Sequence, residues 1–120
     1  MSDEQKIEQL LAAQEIMVLA VITEEGAPWV TPVAISRRDG LSYFEWVSAI
    51  TSIHSQALIG HPDAAVTIYQ KAEGSQIGYY AKGRAELVEE YKPGLGRYRF
   101  TAEEAWINDE TFKKRRLELS

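Results

Sequence analysis

A small, mainly β protein, an antiparallel barrel with short peripheral helices, is the fold this sequence predicts, on three observations. Short runs rich in β-branched and aromatic residues recur along the chain. Turns of a few residues containing Gly, Pro or Asp separate them, which is the spacing of hairpins. One short helical pattern interrupts their order between the third and fourth runs. So many antiparallel strands in 120 residues dispose of their edges better by closing than by lying open, and a chain of that length fills one domain, 1–120, around one core.

Ser2, Asp3, Glu4 and Gln5 form a capping-box pattern, and Ile7, Leu10 and Leu11 recur at helical spacing. An amphipathic helix over about 3–14 is expected, with the barrel over about 16–120. The period then changes. IMVLAVITEE reads as a first strand, EEGAP as a turn and WVTPVAISRR as a second strand, in which Pro32 cannot donate to a ladder and so belongs at an edge or bulge. Asp39-Gly40 turns the chain into LSYFEWVS, a third strand with Leu41, Tyr43 and Glu45 on one face and Phe44 and Trp46 on the other. Thr51 or Ser52 caps a short helix with apolar positions Ile53, Ala57 and Leu58, and Gly60-His61-Pro62 ends it. AAVTIYQ is a fourth strand, KAEGS a turn, and QIGYYAKGRAELVEE a long fifth strand that Gly83 bends or bulges. KPGLG reads as a loop, Thr101 with Glu104 as a capping box opening a single helical turn before AWIN, and FKKRRLELS as a final edge strand.

Net charge of −5 and a pI near 5.0 argue against nucleic acid and anionic membrane surfaces as partners. The absence of cysteine removes disulfides, thiolate metal sites and a cysteine nucleophile, and fits a reducing cytoplasm. His54 and His61 are the two histidines, and no Asp/Glu cluster stands at ligand spacing, so no metal site is expected. The N-terminus is acidic where a secretory signal is basic, and IMVLAVI is too short to span a bilayer.

Three passages in order carry a family likeness: Gly26-Ala27-Pro28 followed by Val30-Thr31-Pro32-Val33; the strand, serine and helix of YFEWVSAITSIHSQAL with its His61-Pro62-Asp63 turn; and Gly83-Arg84-Ala85-Glu86-Leu87-Val88. Over about residues 14–90 the chain resembles the split-barrel flavin-binding family related to pyridoxamine 5′-phosphate oxidase. The resemblance implies a six-stranded split barrel, a homodimer, and FMN in a groove at the subunit interface. It implies that the second strand, through Val30, Thr31, Pro32 and Val33, lays backbone groups along the flavin ring, and that Val47, Ser48, Thr51, Ser52 and His54 surround the phosphate. It further implies that Trp106, with Arg116 ten residues later, reaches into the partner's flavin site.

Read as chemistry, the phosphate stretch is competent, because a helix start offers unpaired N–H groups and the positive end of the dipole, to which four hydroxyls (Ser48, Thr51, Ser52, Ser55) and His54 are added. The plainer reading is a helix cap with solvated serines. Relatives place Arg and Lys where Ile53 and His54 stand, so either FMN is held more weakly, or the cofactor differs, or another cation compensates, for which Lys82, Arg84, Arg37 and the Lys113 to Arg116 run are available. Pro32 is read equally as a flavin neighbour or a blunted edge strand, and Trp46, Tyr79, Tyr80 and Trp106 as groove lining or as core and dimer interface. No acid, base and nucleophile constellation stands out, so the catalytic residues and the small-molecule substrate stay unassigned. No histidine follows His61, so the C-terminal Arg-x-His by which relatives bind pyridoxamine phosphate is absent, which argues against that oxidase activity. Two other readings stay open: a deazaflavin or haem in place of FMN, and a cofactor-free dimeric binding module on the same barrel.

Overall fold

The computed structural model describes residues 1–119. In chain order it contains α1 (Asp3–Ala13), β1 (Ile16–Ile22), β2 (Pro28–Ala34), β3 (Arg37–Asp39), β4 (Tyr43–Ala49), α2 (Ile53–Gly60), β5 (Asp63–Ala72), β6 (Ser75–Lys92), β7 (Leu95–Asp109) and β8 (Arg115–Arg116). The strands form one antiparallel sheet ordered β2-β1-β5-β6-β7-β4-β3, with β8 beside β7. Eight segments stand where six strands are expected. β8 is two residues long, and β3 continues β2 after Ile35 and Ser36, so one bent path begins at one edge of the sheet and ends at the other. The Ser36 N–H donates to the Glu45 carbonyl at 2.8 Å, which ties that path to β4.

The inner face is apolar. Met17, Leu19 and Val21 alternate inward along β1, as period-two strands require, and Phe44, Trp46, Tyr79, Phe100 and Ile107 are wholly buried with them. α1 forms from the capping box read in the sequence: Ser2 accepts from the Gln5 N–H, and the Gln5 side chain accepts from the Ser2 N–H. Its Ile7, Leu10 and Leu11 enter the core, so α1 covers part of the sheet's apolar face, beside β5 and β6. Asp3 and Asp109 both receive Arg115, and Arg38 binds Glu8 through two nitrogens. Buried Tyr79 donates its hydroxyl to the Leu41 carbonyl, and burial raises its pKa.

Two expectations fail in the last third of the chain. Thr101 and Glu104 open no helical turn: both lie within β7. The inward positions run Gly96, Tyr98, Phe100 and Ala102, then Ala105, Ile107 and Asp109, so the alternation slips by one residue at Glu103. That slip matches a register shift in the β6–β7 ladder between Lys82 and Gly83, a bulge that hides the strand period from a sequence window. KPGLG is a tight turn at Pro93-Gly94, with Gly94 at φ 83°, and β7 starts at Leu95. The expected closing strand is confined to Arg115–Arg116.

Gly83 is fixed by this bulge. A Cβ there would stand 1.9 Å from the Thr101 carbonyl oxygen, a backbone atom that cannot swing aside. Gly83→Ala should therefore lose about 2–3 kcal/mol in a denaturant titration, whereas Gly60→Ala, into open space at the end of α2, should change stability by under about 0.5 kcal/mol.

Arg115 and Thr111 hold the Asp109 carboxyl well below its ordinary value of 3.8. A depressed carboxylate contributes stability that is complete above the unfolded value and is lost as pH falls through the folded one. Denaturation midpoints should fall as pH drops below about 4, and Asp109→Asn should lower the midpoint at neutral pH and flatten that acid limb.

Candidate functional site

The strand-to-helix junction forms one hydrogen-bonded cluster. Ser52 is the N-cap of α2: its hydroxyl accepts from the Ser55 N–H at 3.2 Å and donates to the Ser55 hydroxyl at 2.7 Å. His54 Nε2 lies 2.9 Å from Ser48 Oγ and 3.4 Å from Ser52 Oγ. Burial pushes the His54 pKa below its ordinary 6.5, so the ring is neutral at pH 7. The Gln56 N–H is taken by the Ser52 carbonyl; among the described residues no partner meets the N–H groups of Ile53 and His54. Thr51 and Val47 are exposed beside them. The junction thus offers backbone donors and hydroxyls but no cation, and the cap accounts for Ser52 by itself.

A second group gathers on the outer face of β2, β1, β5, β6, β7 and β8. The ladders align Pro32, Val18, Thr67, Tyr80, Trp106 and Arg116 in one row, and Val30, Ala20, Ala65, Lys82 and Glu104 in the next. Alternation sends these side chains outward, whereas Val33 is buried and Thr31 shares its face. Along β2 the side chains of Val30 and Pro32 thus lie on the outer face and those of Thr31 and Val33 on the inner one, so what the four residues have in common is their run of backbone groups. A hollow of about 400 Å³ lies here, with Val18, Val30, Ala65, Tyr80 and Trp106 in its lining. Lys114 Nζ stands 4.3 Å from the Tyr80 ring centre, and Lys82 Nζ stands 5.7 Å from that of Trp106. Glu104 is met by Lys82 at 3.9 Å and by Arg116 at 3.2 Å. A neighbouring hollow of about 480 Å³ shares Ala20, Ala65 and Lys82 with the first.

Trp106 and Arg116, ten residues apart in sequence, are thus direct cross-strand neighbours. Lys114 belongs to the basic run the sequence singled out, but nothing in the sequence distinguishes it from Lys113. An ion network that sequence reading missed covers the outer face of β4 and β7. Glu45, 4% exposed, accepts from Arg97 Nη1 at 2.9 Å and from Arg99 Nε and Nη2 at 3.0 and 2.9 Å. Among the described residues no group of three His, Cys, Asp or Glu is placed to hold a metal ion, and no helix is long and apolar enough to cross a membrane.

The family model described as pyridoxamine 5′-phosphate oxidase matches residues 3–117. Among solved structures, a protein related to general stress protein 26 of B. subtilis (pyridoxinephosphate oxidase family), from Clostridium acetobutylicum, superposes with a TM-score of 0.80 at 14% identity, over 98% of this chain and 96% of that one. A heme binding protein from Mycobacterium smegmatis gives 0.84 at 15% identity, over 98% of this chain and 58% of its own. A FAD-binding protein from Mesorhizobium loti gives 0.72 at 16% identity, over 89% of this chain and 94% of its own. At these identities the likeness is one of fold. No curated protein matches the chain in sequence.

The shielding of His54 can be read directly. Its Cε1 proton, followed by NMR against pH, should titrate with a midpoint below 6.5, and a midpoint at or above that value would mean the ring is not desolvated as described.

Proposed function

Since the chain belongs to the pyridoxamine 5′-phosphate oxidase family, we propose that it binds FMN in a groove between two copies of itself and serves as a flavin-dependent oxidoreductase whose substrate is not pyridoxamine phosphate. The observation that carries this reading is the aromatic hollow on the outer face. Its volume of about 400 Å³ lies within the range of small-molecule sites, and its apolar lining with cations at the rim suits a flat, electron-poor ring that gains negative charge on reduction. The flavin, when bound, supplies the electron transfer; the chain supplies position and charge.

Each residue then has a task. Tyr80 and Trp106 line the hollow, Lys114 and Lys82 lie over their rings and place charge beside them, and Val30 borders the hollow from the edge strand. The free amides of Ile53 and His54, with Ser48 and Thr51, take the phosphate as neutral donors. In this reading the two groups meet across a six-stranded split barrel dimer, with β2 and β3 counted as one bent strand. Val30 at 63% exposure, Ile16 at 52% and Val18 at 39% form apolar surface that a second copy would cover. Haem finds less support. Its iron takes His, Cys, Met or Tyr as axial ligand, and the hollow's lining holds Tyr80 but no His, Cys or Met.

The test is a titration of FMN and riboflavin into the protein, followed by flavin fluorescence. FMN should bind about ten-fold tighter than riboflavin, the contribution of one or two neutral hydrogen bonds. Trp106→Ala should weaken both ligands, and Ser48→Ala should weaken FMN alone. Equal affinities would remove the phosphate role of the α2 start, binding of neither would overturn the flavin reading, and a monomer in sedimentation would overturn the shared groove.

A further inference from the structure

On the opposite half of the sheet, β3, β4 and β7 enclose a separate hollow of about 370 Å³ lined by Arg37, Asp39, Tyr43, Glu45 and Arg99. Its charges are unevenly committed. Glu45 is buried and saturated by Arg97 and Arg99. Arg99 directs Nε and Nη2 at Glu45 Oε2, which fixes the guanidinium edge-on, and among the described residues Nη1 has no acceptor. Arg37 and Asp39 lie two residues apart on the same face of β3, and among the described residues neither has an ion-pair partner. Arg38 between them faces the other way, bound to Glu8 and to the Gly40 carbonyl. Tyr43 adds a ring that is 42% exposed.

An anion alone would face the Asp39 carboxylate, and a cation alone would face two guanidinium groups; each would pay for one unlike neighbour. A ligand carrying both charges leaves neither side unmatched. We propose that this hollow binds a zwitterionic small molecule of the α-amino acid class, its carboxylate on Arg37 and Arg99 Nη1, its ammonium on Asp39 and its apolar side chain against Tyr43. The site does not draw on the flavin reading, so either can fail alone.

Three probes of one shape separate the charges: L-phenylalanine, 3-phenylpropionate, which lacks the ammonium, and 2-phenylethylamine, which lacks the carboxylate. In calorimetry or NMR titration, L-phenylalanine should bind at least about ten-fold tighter than either analogue, because each analogue leaves one charged group of the site unpaired. Arg37→Gln should abolish the advantage over the amine, and Asp39→Asn the advantage over the acid. Both residues are exposed, so unchanged melting curves are expected and separate loss of binding from loss of fold. No saturable binding of L-phenylalanine, or binding of 3-phenylpropionate at equal strength, would overturn the proposal.

Discussion

The ladder between β6 and β7 carries the rest of the structure. It runs from Ile77 opposite Asp109 to Lys92 opposite Leu95. Along its first half β6 also holds β5, and along the other half β7 also holds β4. Two half-sheets are thereby joined by strands common to both, and the register shift at Gly83 falls where one hands over to the other. A bulge increases local twist at the cost of one unpaired residue, here Glu103, and that twist lets one pair of long strands serve two partners. The Thr101 carbonyl approaches so closely there that only glycine fits. Both hollows depend on this handover: the aromatic one lies on the half that contains β5, and the charged one on the half that contains β4.

The halves differ in how they handle charge. Glu104, with its side chain 37% exposed, meets Lys82 and Arg116 in solvent, where such pairs contribute little and side chains stay free to regroup around a ligand. Glu45, with its side chain 6% exposed, pays desolvation and recovers it only because two guanidinium groups converge on it. Arg97 and Arg99 hold its carboxyl below the ordinary range against the opposing push of burial. The cost yields rigidity: two long side chains that would sweep the surface are pinned in place. Arg99 thus presents its remaining donor in one geometry, while Lys82 and Lys114, touching only ring faces and one exposed carboxylate, can adjust.

Local signals were legible in the sequence, and contacts between distant residues were not. The capping box at Ser2, the Ser52 cap and the turn glycines at 26, 40 and 74 are short-range physics, and each appears where expected. β7 escaped as one strand because the bulge at Glu103 splits its period into two out-of-phase runs, Leu95 to Ala102 and Ala105 to Asp109. The partners of Glu45 are 52 and 54 residues away, joined only by strand pairing, and no window reveals them. Trp106 and Arg116 were named through family likeness, and a short return of the chain at β8 is what makes them neighbours. The four residues of β2 named together send their side chains to alternate faces, as the period-two rule of strands foretells: Val30 and Pro32 face out, Val33 faces the core.

On the proposed flavin reading, Ile53 and His54, standing where a cationic pair would grip the phosphate, change how the flavin's binding energy would be divided. A ring that buries about 150–250 Å² gains roughly 4–6 kcal/mol from apolar contact at about 25 cal/mol per Å². Neutral donors contribute about 1 kcal/mol each, and charged ones about twice that. With cations at the junction, phosphate and ring would contribute on similar scales; with amides and hydroxyls alone, the ring dominates. The neutral His54, held between Ser48 and Ser52, reinforces that imbalance because it brings no charge at pH 7. The charges are instead beside the aromatic rings, where Lys82 and Lys114 act on whatever negative charge a bound ring acquires. A cation at the phosphate raises affinity in every redox state, whereas a cation at the ring favours the reduced one. On the proposed flavin reading, positive charge at the ring in place of the phosphate would trade tight retention of the cofactor for a bias toward its electron-rich form.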